Sequence, residues 1–248
     1  MIDKFCMISA PRTGSNYLCG ALNSHPRIIC HLEVYHRNDI YTWKGLHKQL
    51  SSQWQLEDRD QQPVRFFDNL QAKGQELYED TQITGFKIFG QHNDTMLRHV
   101  IDSDAWKIII LGRENLLAQY SSTQISAKTN VFWKARTDTS VDQEEKTLVE
   151  FDPSAFRGYM TEIGGYFSGI RESLNASGKP YYELDYTEIN DQERLKGLVE
   201  YLGVEYGDRL VGTIRKQNPP HILSRFSNPD TVTEEMQRLG KAAWLEGG

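Results

Sequence analysis

The residue pattern predicts an α/β fold in which a parallel sheet is covered by helices on both faces. Three observations predict it. Short apolar runs alternate with stretches of helical spacing along the chain, the order that builds strand–helix–strand crossovers. The most apolar run, residues 106–111, is too short for a buried helix and carries the consecutive aliphatics Ile108, Ile109, Ile110 and Leu111, as a strand buried on both faces requires. Neither an internal repeat nor a linker divides the 248 residues, which read as one domain over 1–248 able to bury about three-quarters of its unfolded surface.

The elements follow in order. Residues 4–10, with Phe5, Cys6, Met7 and Ile8, form an apolar run that stops at Pro11 and a glycine-containing turn, so a first buried strand is expected there. Ser15 is placed to cap the next helix, in which Leu18, Cys19 and Leu22 recur at helical spacing until His25-Pro26 ends it. Ile28, Ile29 and Cys30 predict a second strand leading to Glu33. From Asn38 to Glu79 the chain is polar with scattered aromatics, which suggests one or two surface helices. Residues 83–89 alternate as a third strand does, and Met96, Val100 and Ile101 mark a helix after it. Gly112-Arg113 turns the 106–111 strand into a helix over about 115–127. Residues 128–152 are charged and without period, a pattern that suits a mobile flap or lid. Phe156, Met160, Ile163, Phe167 and Ile170 place a helix over 153–175, closed by Gly178 and Pro180. Residues 181–186 read as another strand, and Leu195, Leu198 and Leu202 as a helix ending at Gly203.

Composition removes several classes of function. With 28 Lys+Arg against 34 Asp+Glu the formal charge is −6, which excludes a nucleic-acid coat but leaves room for a local basic pocket around a small polyanion. Hydrophobic residues at 38% and charged residues at 25% belong to a soluble globular chain rather than a disordered one. No apolar run approaches the roughly 20 residues that span a bilayer, and the first residues lack a secretion signal, so a cytoplasmic protein without a membrane span is expected. Cys6, Cys19 and Cys30 form no CxxC pair and read as buried thiols, so neither a disulfide nor a metal site is expected.

Three segments carry candidate chemistry. Pro11, Arg12, Thr13, Gly14, Ser15 and Asn16 lie between the first strand and the first helix, where a tight turn presents backbone N–H groups and a helix N-terminus to an anion and Arg12 adds a full charge. The segment lacks GxxxxGK[ST], so it is not the loop of nucleotide triphosphatases. Arg113 and Ser121 are eight positions apart, a spacing that brings two side chains to one helix face and suits a second phosphate. Lys87 falls inside a strand, where a full charge is uncomfortable unless it faces a polyanion or the strand is an edge.

Taken in order, Pro11-Arg12-Thr13-Gly14-Ser15, His25-Pro26, Glu33, Gly85-Phe86-Lys87 and Arg113-Glu114-Asn115 with Ser121 resemble the motif set of sulfotransferases that use 3′-phosphoadenosine 5′-phosphosulfate (PAPS). The likeness is greatest to bacterial carbohydrate sulfotransferases of the nodulation-factor type. It continues weakly through residues 182–186, 202–204 and 216–218. The resemblance implies a three-layer P-loop-like fold, a first loop that grips the 5′-phosphosulfate, Arg113 and Ser121 on the 3′-phosphate, and a saccharide or other small hydroxyl compound as acceptor. It also implies Glu33 as the base that takes the acceptor's proton and Lys87 as a group that stabilises the transferring sulfuryl. His36 and His92 are backups for the base, each read first as a surface or hydrogen-bonded histidine. Many relatives carry Lys in the first loop where this chain has Arg12, which keeps the charge but does not readily donate a proton. Arg225 lies in a late segment where relatives bring a basic residue to the 3′-phosphate, and Phe226 beside it is placed to cover the adenine or to pack.

Two other functions remain open on the sequence. A kinase of a nucleotide or small molecule shares the strand–loop–helix start, and Asp185 is its tempting magnesium ligand. A catalytically silent nucleotide-binding protein would share the pocket and be indifferent to Glu33. Trp43, Trp54, Phe66, Phe67 and Trp133 offer rings for a sugar-stacking cleft or for a core, and neither the acceptor nor an oligomeric state is written in the pattern.

Overall fold

Alternating burial along the first strand organises the molecule. In the computed structural model, which describes residues 2–50, 54–130, 147–212 and 221–246, β1 (Asp3–Ser9) sends Phe5 and Met7 to one face of the sheet and Cys6 and Ile8 to the other. All four are fully buried, as a strand covered on both faces requires. The other strands are β2 (Ile28–His31), β3 (Ile83–Phe89), β4 (Trp106–Gly112) and β5 (Tyr181–Asp185). They stand in the order β2-β3-β1-β4-β5, and every neighbouring pair is parallel.

Among the described residues the helices are α1 (Ser15–Leu22), α2 (Leu56–Gln61), α3 (Pro63–Leu77), α4 (Asp94–Asp102), α5 (Leu116–Thr129), α6 (Pro153–Ala176), α7 (Gln192–Tyr201) and α8 (Pro229–Arg238). Leu18, Cys19 and Leu22 of α1 and Leu195, Leu198 and Val199 of α7 pack with Phe5 and Met7. Phe66, Phe67 and Leu70 of α3, Met96 and Val100 of α4, and Ile170 and Leu174 of α6 pack with Cys6 and Ile8. Helix, sheet and helix make the three layers of an α/β fold, as the alternation of elements predicts. A third apolar cluster joins α5, the start of α6, α8 and Trp244 beyond the sheet. No helix among the described residues is long and apolar enough to cross a membrane.

Two details depart from the sequence pattern. Residues 38–79 hold helices as expected, α2 and α3, with a kinked 3₁₀ segment, and α3 buries Phe66, Phe67 and Leu70 against the sheet while its outer face stays exposed. Ser15 does not cap α1: Gly14 is the N-cap residue, at φ 81°, and a Cβ there would lie 2.6 Å from Ile189 Cδ1. Glycine alone meets both demands. The polar α8 had no apolar period long enough to announce it, and residues 131–146, most of the proposed flap, lie outside the described residues.

Candidate active site

A parallel sheet gathers its loops at the carboxyl ends of its strands, and ligands bind there. Here all five strands deliver residues to one open cleft of about 2240 Å³: Arg12 after β1, Glu33 after β2, Lys87 on β3, Arg113 after β4 and Tyr186 after β5.

The loop after β1 is built with its carbonyls held from behind. Thr13 Oγ1 donates to Ala10 O at 2.9 Å, Gln119 Nε2 to Pro11 O at 2.7 Å and Arg113 Nη1 to Arg12 O at 3.1 Å. Ser9 Oγ, 2.6 Å from Thr13 Oγ1, completes the tie. Arg12 at φ 66° and Gly14 at φ 81° curl the segment into the turn geometry that gathers N–H groups, and the first amides of α1 have no carbonyl partner within their helix. A left-handed arginine costs on the order of 1–2 kcal/mol, strain of the kind stored at binding sites. Arg12 Nε donates to Ser122 Oγ at 2.7 Å, which aims the guanidinium along the cleft wall.

Lys87 joins this loop to the carboxylate. It is 1% exposed on a strand flanked by β1 and β2, so the edge alternative fails. Its ammonium lies 2.9 Å from Glu33 Oε1 and 3.4 Å from Ser15 Oγ, and donates to Asn16 Oδ1. A buried cation needs such partners. Glu33, still 21% exposed at its side chain, opens to the cleft, and its Oε2 lies 3.7 Å from His92 Nε2. Burial pushes His92 down to about 4, against the opposing pull of Glu33, so the ring is neutral at pH 7. The backbone carrying Glu33 is clamped from outside the cleft by Arg59, wholly buried, whose Nη1 donates to the carbonyls of Val34, His36 and Asp39 at 3.1, 2.8 and 3.0 Å.

At the other end of the cleft three guanidiniums share one neighbourhood. Arg113 stacks on the Tyr186 ring at 3.9 Å, and its Nε is buried without a hydrogen-bond partner among the described residues. Burial lowers its pKa, and burial followed by the charge of Arg113 lowers that of Arg12. The same two causes bring Arg225 down to about 10. Like charges held this close in a poorly hydrated wall oppose one another until an anion arrives. The N-cap Asn115 of α5 donates to Trp244 O at 2.9 Å, which brings Lys241 and Trp244 to the rim of the same end.

Several expected site residues sit elsewhere. Ser121 does not line the cleft: Arg113 precedes α5 rather than belonging to it, so eight positions do not place both side chains on one face. The buried Ser121 hydroxyl donates to Ala118 O and accepts from Arg225 Nη1 at 3.1 Å, while Ser122 faces the cleft. Thr13 likewise turns inward and supports the loop. Phe66 and Phe67 are core, Trp54 packs on Phe66, and Trp43 stacks on Tyr78, so none of the four forms a sugar cleft. Phe226 packs on Phe151 in the third cluster and does not line the cleft. Trp133 and residues 216–218 lie outside the described residues. The rings that do stand beside Glu33 form a contiguous series, Tyr41 to His36 at 5.2 Å, His36 to His92 at 5.7 Å and His92 to Phe89 at 4.9 Å. Sequence reasoning named two of them as bases and had no signal for Tyr41, Phe89, Ser122 or Arg59.

No protein-family model matches the chain. No curated protein matches it either. Among solved structures it is similar to a sulfotransferase domain from the curacin biosynthetic pathway, at 14% identity and TM-score 0.44 over 94% of this chain and 86% of that one. It is also similar to a sulfotransferase domain from the Synechococcus PCC 7002 olefin synthase, at 14% identity and TM-score 0.38 over 94% of this chain and 87% of that one.

Proposed function

We propose that the protein is a sulfotransferase that moves a sulfuryl group from PAPS to a hydroxyl acceptor, with a saccharide as the favoured class. One observation carries the reading: a buried lysine bridges an anion-binding loop on one side and a cleft-facing carboxylate on the other. Transfer to an alcohol needs that neighbourhood, because the acceptor loses a proton while the leaving phosphate gains charge.

The residues fit the donor. The loop over Pro11–Asn16 offers amides and hydroxyls to a phosphosulfate, and the orphaned Arg113 Nε with Arg225 suits a second phosphate. PAPS supplies an activated sulfuryl group. The acceptor oxygen bonds to sulfur as the bond from sulfur to the bridging phosphate oxygen breaks, Glu33 takes the hydroxyl proton, and Arg12 and Lys87 face the charge that develops. The leaving product is adenosine 3′,5′-bisphosphate. The ring series from Tyr41 to Phe89 favours a flat, partly apolar acceptor face, which a pyranose provides.

Magnesium-dependent phosphoryl transfer fits less well. Asp185 Oδ1 accepts from the Thr187 amide at 2.9 Å and Oδ2 from the Glu114 amide at 2.6 Å, so this carboxylate is spent on capping. The test is transfer of labelled sulfuryl from PAPS to a saccharide panel. Glu33→Gln keeps an acceptor for Lys87, so donor affinity stays near wild type while turnover falls about a hundredfold or more. Wild-type turnover in that variant removes Glu33 as base, and no transfer by the wild type to any hydroxyl acceptor removes the reaction.

A further inference from the structure

We propose that Arg59 is a positioning residue that holds one wall of the cleft, the loop over residues 33–41, in the geometry transfer requires; the inference rests on Glu33 being the base. That loop lines the cleft with Glu33, His36, Arg37, Asn38 and Tyr41. Its own backbone closes it, since the amides of His36 and Tyr41 donate to Glu33 O at 3.1 and 3.4 Å. The carbonyls of Val34, His36 and Asp39 converge on a single atom, Arg59 Nη1 of α2, at 3.1, 2.8 and 3.0 Å. Buried carbonyls that meet at one spot are costly without a donor there, and a charged donor answers them best.

The cation is itself aimed. Its Nε and Nη2 donate to the two oxygens of Asp60 at 2.9 and 3.0 Å, a fork that fixes the guanidinium plane and leaves Nη1 to the loop. Asp60 Oδ1 also accepts from Asn93 Nδ2 at 3.3 Å, so the network reaches the turn that carries His92 into the cleft lining. Glu33 thus stands between two held carbonyls: Leu32 O accepts from the Lys87 amide at 3.3 Å, and Val34 O from Arg59. Without the guanidinium the three carbonyls must turn elsewhere for donors, and the backbone that aims Glu33 turns with them. A misplacement of about 1 Å at a reacting group costs roughly a hundredfold in rate. The root of the loop stays in place, because Val34 and Tyr35 are buried and Tyr35 Oη donates to Pro63 O at 2.7 Å. Arg59 does not itself line the cleft, so its loss should spare the donor.

Two measurements on the full chain test this. The first needs no activity. In Arg59→Lys, whose ammonium is one bond shorter and cannot fork onto Asp60, hydrogen exchange at the amides of His36 and Tyr41 should quicken about tenfold or more, while affinity for adenosine 3′,5′-bisphosphate stays within about twofold of wild type. Unchanged exchange overturns the proposal. The second is kinetic. Arg59→Met, which fills the space without charge, should lower kcat about a hundredfold with the KM for PAPS unchanged, and Arg59→Lys, which restores a cation, should lose only about tenfold. Wild-type turnover in Arg59→Lys, or a donor affinity that falls in step with its kcat, overturns the assignment, as does a lysine variant no better than a methionine variant that still binds nucleotide. Should Arg59→Met fail to fold, exchange and turnover in Arg59→Lys decide. If the wild type transfers no sulfuryl group, the sulfotransferase reading fails, and exchange with nucleotide binding still decides whether Arg59 holds the loop.

Discussion

Recognition of the second phosphate can be worked from Arg113. Its Nη1 is committed to the Arg12 carbonyl and its plane to Tyr186, whereas its Nε is buried and unpartnered among the described residues. A phosphate placed there repays the unmade hydrogen bond and relieves repulsion between Arg113 and Arg225. Charge-assisted bonds contribute about 1.5–3 kcal/mol each, so losing the 3′-phosphate should cost about 2–4 kcal/mol, roughly 30- to 1000-fold in affinity. Adenosine 3′,5′-bisphosphate should therefore outbind AMP by that factor in calorimetry. Arg113→Ala removes the second-phosphate partner and also releases the Arg12 carbonyl, so both nucleotides weaken. AMP should lose only about fivefold, the worth of one neutral hydrogen bond, and the ratio between the nucleotides should fall below about tenfold. Arg65→Ala, on the exposed face of α3, should leave the ratio alone. Equal binding of the two nucleotides by the wild type, or an unchanged ratio in Arg113→Ala, refutes the assignment.

Two further outcomes concern stability. Gly85 sits opposite Phe5 in the β1–β3 register, and a Cβ there would lie 2.4 Å from both the Phe5 ring and the Phe5 carbonyl oxygen. Gly85→Ala should thus destabilise by at least about 2 kcal/mol in urea titrations, whereas Gly164→Ala, exposed in α6 with open space around it, should stabilise by about 0.5–1 kcal/mol. Glu235 is held by Arg238 and Arg157, with hydrogen bonds of 2.7 Å, and the Arg238 bonds above all bring it down to about 2. A carboxyl depressed in the folded state contributes stability above its unfolded value of about 4.3 and loses it as pH falls towards 2. Thermal melts between pH 5 and 2 should show a steeper loss for the wild type than for Glu235→Gln; parallel curves would contradict the pairing.

Strands were legible because their burial is a local pattern. Phe5 to Ile8 and Ile108 to Leu111 are apolar on successive residues, which only a two-sided environment accepts, and each predicted strand ends within a residue or two of the observed one. Helices were legible where an apolar stripe repeats, as in α6, and illegible in α8, where Val232 and Met236 are the whole inward hydrophobic face of an otherwise charged segment. The stretch 38–79 was legible only coarsely, as one or two helices, because its buried aromatics stand among charges, although Pro63, Phe66, Phe67, Leu70 and Gly74 of α3 do recur at helical spacing.

The candidate site divides along the same line. Arg12 and Arg113 were legible because each is a charge just beyond the end of a predicted strand, and in a parallel sheet those ends converge; Lys87 was legible as a charge inside a strand, and Glu33 through the family resemblance. What the chain does not reveal is which way a side chain turns once it arrives. Ser121 and Ser122 are adjacent, and the α5 rotation that gives the cleft to Ser122 is set by Leu117 and Tyr120 in the third cluster, assembled from later segments between Val149 and Trp244. Arg59 lies between Asp58 and Asp60 and reads as a solvated helix face, yet its donors meet carbonyls 20 to 25 residues earlier and it is the Glu33 loop that buries it. His92 is the sharpest case. A histidine near a carboxylate reads as a spare base until the Phe89 amide is found on Nδ1, and that single backbone bond occupies a lone pair that a base would need.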